Sequence, residues 1–318
     1  MDPSRSDAPE PELTAPSAAG PAVVALGGGH GLSASLRAVR RYAGTITAVV
    51  SVADDGGSSG VLRAAMPDLP APGDVRKCLG ALAEEGSTYG RVLEHRFGDG
   101  DLEGHALGNL LLVALSQELG SFADAVDEVG RRVGAVGRVL PATVGPVDLR
   151  AWATEAGAAD GSPPSIAGQV AVQNAASVFR ICPDPPAPGS ATAVAEAIEG
   201  ADQVVIGPGS LFTSVLAAAI VPAVGEALPR TAGQRVYVAN LAPQVPETAG
   251  FTVADELAAL ARHGVPVDVA IVDPTRPVGG PTDPGAGAIP IVTRPVAGPS
   301  GRVHDPERLA AALASVLT

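Results

Sequence analysis

The spacing of apolar residues changes several times along the chain, and each change marks an element. Residues 1–20 are mostly Asp, Glu, Pro, Ser and Ala with Leu13 as the one interior leucine, too little apolar surface to offset ordering entropy, so a disordered tail is expected there. Ala22-Val23-Val24-Ala25-Leu26 is an apolar run too short for a helix, and Gly27-Gly28-Gly29-His30-Gly31 follows at once. The pair reads as a buried strand entering a glycine turn. Leu32, Leu36, Ala38 and Val39 then recur at helical spacing and predict a helix to Tyr42, with a second strand over Ile46–Val52. A β-α-β unit of this kind implies parallel strands, because its crossover carries the chain back to the same end.

Further on, helices are predicted over Gly104–Leu119 and Phe122–Val133, broken at Gly120. Short strand-like runs at Val147–Thr154 and Ser177–Ile181, set among Gly and Pro, predict a β-hairpin-bearing insertion. The alternation then resumes: helix Ala191–Glu199, strand Gln203–Ile206, a helix opened by Gly207-Pro208-Gly209-Ser210, strand Arg235–Ala239, helix Val253–Arg262 and strand Val267–Val272. Residues 274–300 are rich in Pro and Gly and read as irregular, ahead of a closing helix Asp305–Val316. The pattern predicts a Rossmann-like, doubly wound α/β fold, a three-layer sandwich around a mostly parallel sheet. One domain over residues 21–318 is expected to follow the tail.

Composition narrows the partners. With 46% hydrophobic and 17% charged residues among 318, the chain has ample material for a core. A net charge of −13 and a pI near 4.7 argue against nucleic acid or an anionic membrane as partner, since both demand a concentrated cationic surface. Cys78 and Cys182 stand far apart without a CxxC pair, so free thiols are expected rather than a disulfide or structural zinc. No apolar run approaches a membrane span, and the acidic, proline-rich start is unlike a signal peptide. A cytoplasmic location is expected.

The candidate chemistry sits at strand ends. The turn Gly27, Gly28, Gly29, Gly31 lies between a buried strand and a helix start, where backbone N–H groups and the helix dipole attract phosphate. It is not a full GxGxxG, because Ala34 takes the third glycine's place. After the second strand, Asp54-Asp55-Gly56-Gly57-Ser58 presents adjacent carboxylates that can ligate Mg²⁺ beside a diphosphate or accept from sugar hydroxyls; a plain acidic turn is the simpler alternative. Asp74 and Arg76 open a predicted helix, with Arg76 suited to a bidentate phosphate contact. His105 and Asn109, four apart, share a helix face, as a structural pair also would. Gly207, Pro208, Gly209, Ser210 and Thr213 form a second strand-glycine-helix junction. Two such junctions in one sheet suit a diphosphate. The loop Asn240–Thr248, with Asn240 and Gln244, offers amides able to read a base or sugar.

Taken together, GGGHGLS, VSVADDGGSSG, PGDVRKCL, GHALGNLLL, VLPAT, IGPGSLFTS and the Asn240–Thr248 loop resemble, in collinear order over residues 22–272, the gluconeogenesis factor family, whose relatives include 2-phospho-L-lactate transferase. The resemblance implies a cytoplasmic protein that binds UDP-sugars such as UDP-N-acetylglucosamine and is needed for growth on gluconeogenic carbon, for cell shape and for wall synthesis. It also implies a homodimer and protein partners in wall synthesis. Departures are His30 where the family often has Thr, Ala242-Pro243 where it has Met-Thr, Asp255-Glu256 where it has Asp-His, and the Pro- and Gly-rich stretch after Val272. Three readings follow. The first is a non-enzymatic nucleotide-sugar binder. The second is a Mg²⁺-dependent phosphotransferase in which Asp54 or Asp55 holds the ion and Arg76 stabilises transferred charge. A dinucleotide oxidoreductase comes third, weakened by the missing glycine and by an acid that arrives late for a ribose ligand.

Overall fold

The computed structural model describes residues 20–279 and 289–317. The tail expected over residues 1–20 lies outside the described residues but for Gly20, and so does part of the 274–300 stretch. In chain order the elements are β1 (Ala22–Gly27), α1 (Gly29–Val39), β2 (Thr45–Val50), α2 (Gly57–Ala65), α3 (Pro72–Leu82), α4 (Thr88–Glu94), α5 (Leu107–Leu119), α6 (Phe122–Arg132) and β3 (Arg138–Pro141). An insertion follows with β4 (Asp148–Trp152), α7 (Glu155–Ala159), β5 (Ile166–Ala167), α8 (Gln169–Gln173) and β6 (Arg180–Asp184). The second half holds α9 (Thr192–Glu199), β7 (Gln203–Ile206), a π-helical turn Leu211–Leu216 running into α10 (Ala217–Ala219), α11 (Pro222–Ala227), β8 (Gln234–Val238), α12 (Val253–Arg262), β9 (Val269–Val272), β10 (Ile291–Thr293) and α13 (Pro306–Ser315).

Seven strands form one sheet in the order β10-β9-β8-β7-β1-β2-β3, and every neighbouring pair is parallel. The register sets Leu26 opposite both Val49 and Ile206. Strands such as β1 and β7 are apolar on both faces and buried on both, as a sheet covered by helices on each side requires. The doubly wound fold is therefore as expected. The insertion is a three-stranded antiparallel sheet, β5-β4-β6, in which Arg150 stands opposite Cys182 on one side and Ala167 on the other.

Local chemistry explains most boundaries. Gly120, at φ 68, separates α5 from α6, and Ser121 caps α6 by accepting from the Asp124 N–H at 3.2 Å. Thr252 and Asp255 make a reciprocal capping box on α12. Asp305 accepts from the Glu307 and Arg308 N–H groups, with Pro306 in the first helical position of α13.

Five expectations are revised. The helix expected from Gly104 begins at Leu107, and α1 begins within the glycine turn itself and ends at Val39. The segment read as irregular contributes β10, which pairs in parallel with β9 through Val292 and Ile271. The glycine-rich stretch after Asp55 forms α2, where Gly60 is needed because a Cβ there would overlap the Asp55 carbonyl oxygen. Both cysteines are free, but only Cys78 is buried; Cys182 is half-buried. Among the described residues no helix is long and apolar enough to cross a membrane.

Candidate functional site

The order of the sheet reverses between β1 and β7: β2 and β3 extend to one side, β8, β9 and β10 to the other. The carboxyl ends of these two neighbours bound the crevice where open α/β sheets take ligands. Both glycine junctions lie here. Gly28, in extended conformation, is the N-cap of α1, no side chain caps the helix, and its first turn carries no acid. Across the crevice, the Gly207-Pro208-Gly209 turn leads from β7 into the Leu211–Leu216 turn. The two loops touch: a Cβ on Gly31 would stand 2.6 Å from the Gly209 Cα and overlap the Pro208 carbonyl.

The start of α3 packs against the first loop. Asp74 Oδ2 lies 2.5 Å from where a Gly28 Cβ would be, so a side chain at position 28 would displace the Asp74 carboxylate. Asp74 Oδ1 pairs with Lys77 Nζ at 3.0 Å, and Nζ stands 4.0 Å from the Cβ position of Gly29. The Asp74–Lys77 ion pair therefore stands beside the start of α1. Arg76, 3% exposed, is turned away: it pairs with Glu94 at 3.2 Å, packs its methylenes against Gly108, and keeps a buried Nε with no partner.

Asp54 and Asp55 part company. Asp54 Oδ1 accepts from the Gly56 N–H at 3.0 Å, and its Oδ2 lies 3.0 Å from the Cβ position of Gly73, next to the start of α3. Asp55 instead accepts from the Gln169 and Val170 N–H groups at 2.9 and 2.8 Å, capping α8 of the insertion. Ser58, in the first turn of α2, accepts from Asn109 Nδ2 at 3.0 Å and lies 3.1 Å from His105 Nδ1. Asn109 is 2% exposed and its Oδ1 has no partner.

At the second junction Asn240 clasps Gly209, accepting from its N–H at 3.0 Å and donating to its carbonyl at 2.6 Å. Gln244 is exposed on the same loop, its N–H donating to Thr248 Oγ1 at 2.8 Å. Ser210 and Thr213 face inward. Buried Glu247 accepts from the Phe212 and Thr213 N–H groups at 2.9 and 3.0 Å and from the Ser210 hydroxyl, which also bonds Thr213. Burial pushes the Glu247 carboxyl up, and these hydrogen bonds oppose that rise.

The glycines of both junctions, Asp74 and Asn240 thus gather at the switch point, with Asp54, Ser58 and Asn109 on the α2–α3–α5 flank. Asp55 is drawn to α8, and Ser210 and Thr213 to Glu247. Sequence reasoning named the His105–Asn109 pair and counted Lys77 as a cation at a helix start without giving Lys77 or His105 a ligand role, and it passed over Glu247. Lys77 was legible as the chain's one lysine, three residues beyond Asp74 at the predicted helix start; the pairing of Glu247 with a turn 34 residues away has no local signature. Among the described residues no three His, Cys, Asp or Glu side chains gather as a metal-holding group. The donor set therefore does not fit a divalent ion held by protein alone, whereas an ion carried on a diphosphate needs only one or two carboxylates.

Residues 23–279 match the family described as 2-phospho-L-lactate transferase CofD. A putative gluconeogenesis factor of Mycobacterium tuberculosis (strain ATCC 25618 / H37Rv) is 45% identical over 267 residues, 80% of this chain and 76% of the relative. This chain belongs to the gluconeogenesis factor family, within the wider CofD group. The Mycobacterium leprae putative gluconeogenesis factor is 43% identical over 316 residues, 93% of this chain and 86% of its own. The gluconeogenesis factor of Halalkalibacterium halodurans is 40% identical over 253 residues, 79% and 75%. A crystal structure of a UPF0052-family protein from Bacillus halodurans matches with a TM-score of 0.83 at 33% identity, covering 92% of this chain and 98% of that one.

Proposed function

We propose that this member of the gluconeogenesis factor family is a cytoplasmic UDP-sugar-binding protein, with UDP-N-acetylglucosamine as first candidate, that regulates rather than turns over its ligand. The observation that carries the reading is the start of α1: a helix N-terminus with no side-chain cap, glycine at 28 and 29, set at the β1/β7 reversal with the Asp74–Lys77 ion pair beside it. Backbone N–H groups and a cation there favour a diphosphate. In this reading Asp54 accepts from sugar hydroxyls and Gln244 reads the base, with Asn240 shaping the same loop through its clasp on Gly209. In this reading the protein serves growth on gluconeogenic carbon, cell shape and wall synthesis as a homodimer, acting through protein partners in the wall machinery.

A ligand that binds only the native state raises the melting temperature. Thermal shifts with UDP-N-acetylglucosamine, UDP-glucose, NAD and GTP, paired with an assay for released phosphate and UMP, test the proposal. UDP-sugars alone are expected to raise the transition, with no product over long incubation. Absence of any shift at millimolar ligand rejects the binding reading. Metal-dependent turnover replaces it with the phosphotransferase.

A further inference from the structure

We infer that Glu247 is the positioning residue of this site: its carboxylate fills the anion cradle of the second junction, holds the Asn240–Thr248 loop over the crevice, and confines the ligand's phosphates to the start of α1. The inference rests on the UDP-sugar reading and deepens it.

The donors that surround Glu247 are the ones a phosphate would use. Oε1 takes the Phe212 and Thr213 N–H groups, Oε2 the Ser210 hydroxyl, and the side chain is 2% exposed. All are uncharged, so the buried carboxylate is satisfied by hydrogen bonds rather than by a counter-ion, and these offset its desolvation cost. A phosphate oxygen at these N–H groups would have to displace Glu247 or lie against it.

The same contact immobilises a loop. Asn240 grips Gly209 at one end of Asn240–Thr248; Glu247 grips residues 210–213 at the other. Between them the chain closes on itself, with Thr248 N–H donating to the Gln244 carbonyl at 2.7 Å and Gln244 N–H to Thr248 Oγ1 at 2.8 Å. Gln244 is therefore presented from a turn whose two anchors lie on one junction. Ordering these groups before binding removes an entropic cost that a free loop would carry.

Calorimetry of the full chain with inorganic pyrophosphate, UDP and GDP separates this role from a merely structural one. The wild type is expected to bind pyrophosphate and to prefer UDP to GDP. Glu247→Ala should lower UDP affinity by about tenfold or more and bring the UDP/GDP ratio towards one, leaving pyrophosphate affinity within about twofold. Glu247→Gln keeps one acceptor oxygen, should fall between, and carries the test if the alanine variant fails to fold. A second equivalent of pyrophosphate bound by Glu247→Ala would be further support, since it reports the emptied cradle. Equal losses for pyrophosphate and UDP in Glu247→Gln, or an unchanged UDP/GDP ratio, overturn the inference alone. A wild type that binds pyrophosphate without preferring UDP overturns the proposed function and this inference with it.

Discussion

Gly31 in the first turn of α1 lies directly against Pro208 of the opposite loop, so close that a methyl group at position 31 would overlap the Pro208 carbonyl and stand 2.6 Å from the Gly209 Cα. The neighbours are backbone atoms, which cannot swing aside as a flexible side chain would. Gly31→Ala is therefore expected to push the two glycine junctions apart. Overpacking of this kind costs about 1–3 kcal/mol, readable as a lower denaturant midpoint with an unchanged slope. UDP-sugar binding should weaken in the same variant, and a variant with wild-type stability and affinity would show that the loops are not mechanically joined.

Gly29 has φ +62 and, apart from Asp74 and Lys77, an open surrounding. Gly29→Val should abolish nucleotide binding, because the branched side chain would occupy the phosphate position. It also places a β-branched residue in the left-handed region, at a cost on the order of 1–3 kcal/mol. Far-UV dichroism should stay close to wild type while the melting temperature drops; loss of the native spectrum would mean that the turn is needed for folding itself.

Asp55 supplies both acceptor oxygens to the start of α8. Asp55→Ala should cost about 0.5–2 kcal/mol, the range for a lost cap, and loosen the insertion. Limited proteolysis resolves this, with faster cleavage expected between β4 and β6. Unchanged cleavage together with lost ligand affinity would return Asp55 to the ligand.

Much of the frame was legible because the parallel strands are short, apolar and separated by helical spacing, as in Ala22–Leu26 and Gln203–Ile206. The strands of the two glycine junctions proved to be neighbours, β1 and β7, at the reversal point. What escaped was set by tertiary contact. Helix α2 hides behind a run of Gly and Ser of low helix propensity, in which Gly60 is required by the nearness of the Asp55 carbonyl, a close approach with no local pattern. β10 emerges from a Pro- and Gly-rich stretch because β9 offers it an unpaired edge. Likewise, nothing in the local pattern of Asp54-Asp55 shows that one carboxylate stays at the site and the other serves a helix 114 residues on.

Asp54 separates the binder from the transferase. In the proposed reading it accepts from sugar hydroxyls without an ion, beside its Oδ1 contact with the Gly56 N–H. UDP-sugar affinity should then be little changed by EDTA, and Asp54→Asn should weaken it about tenfold or more, since a charged acceptor contributes about 1.5–3 kcal/mol. Calorimetry with and without Mg²⁺ checks both. An affinity that collapses on chelation would place an ion between Asp54 and the diphosphate.

His263 ties the insertion to the main body and makes that tie sensitive to acid. It is the C-cap of α12; its Nε2 accepts the Ile181 N–H of β6 at 3.0 Å, and its Nδ1 lies 2.7 Å from the Ala259 carbonyl. Those contacts fix the neutral ring with the proton on Nδ1, because a protonated Nε2 cannot accept from Ile181. Burial lowers the pKa to about 4 from 6.5, with Arg262 and Arg180 adding to the fall and the Ala259 contact opposing it. The folded pKa lies below the unfolded one, so the unfolded chain binds more protons between the two values. Stability from this group is complete above pH 6.5 and drains away as the pH falls towards 4, by up to about 3 kcal/mol. Urea unfolding of the wild type and His263→Gln at pH 7.5, 5.5 and 4 isolates the contribution, since the other carboxylates titrate in both proteins and cancel in the difference. The variant should be less stable at pH 7.5 and lose less on acidification, so that the two curves converge. Parallel curves across this range would mean that His263 takes up its proton at the same pH in the folded and unfolded chains, so that the Ile181 contact does not hold it neutral.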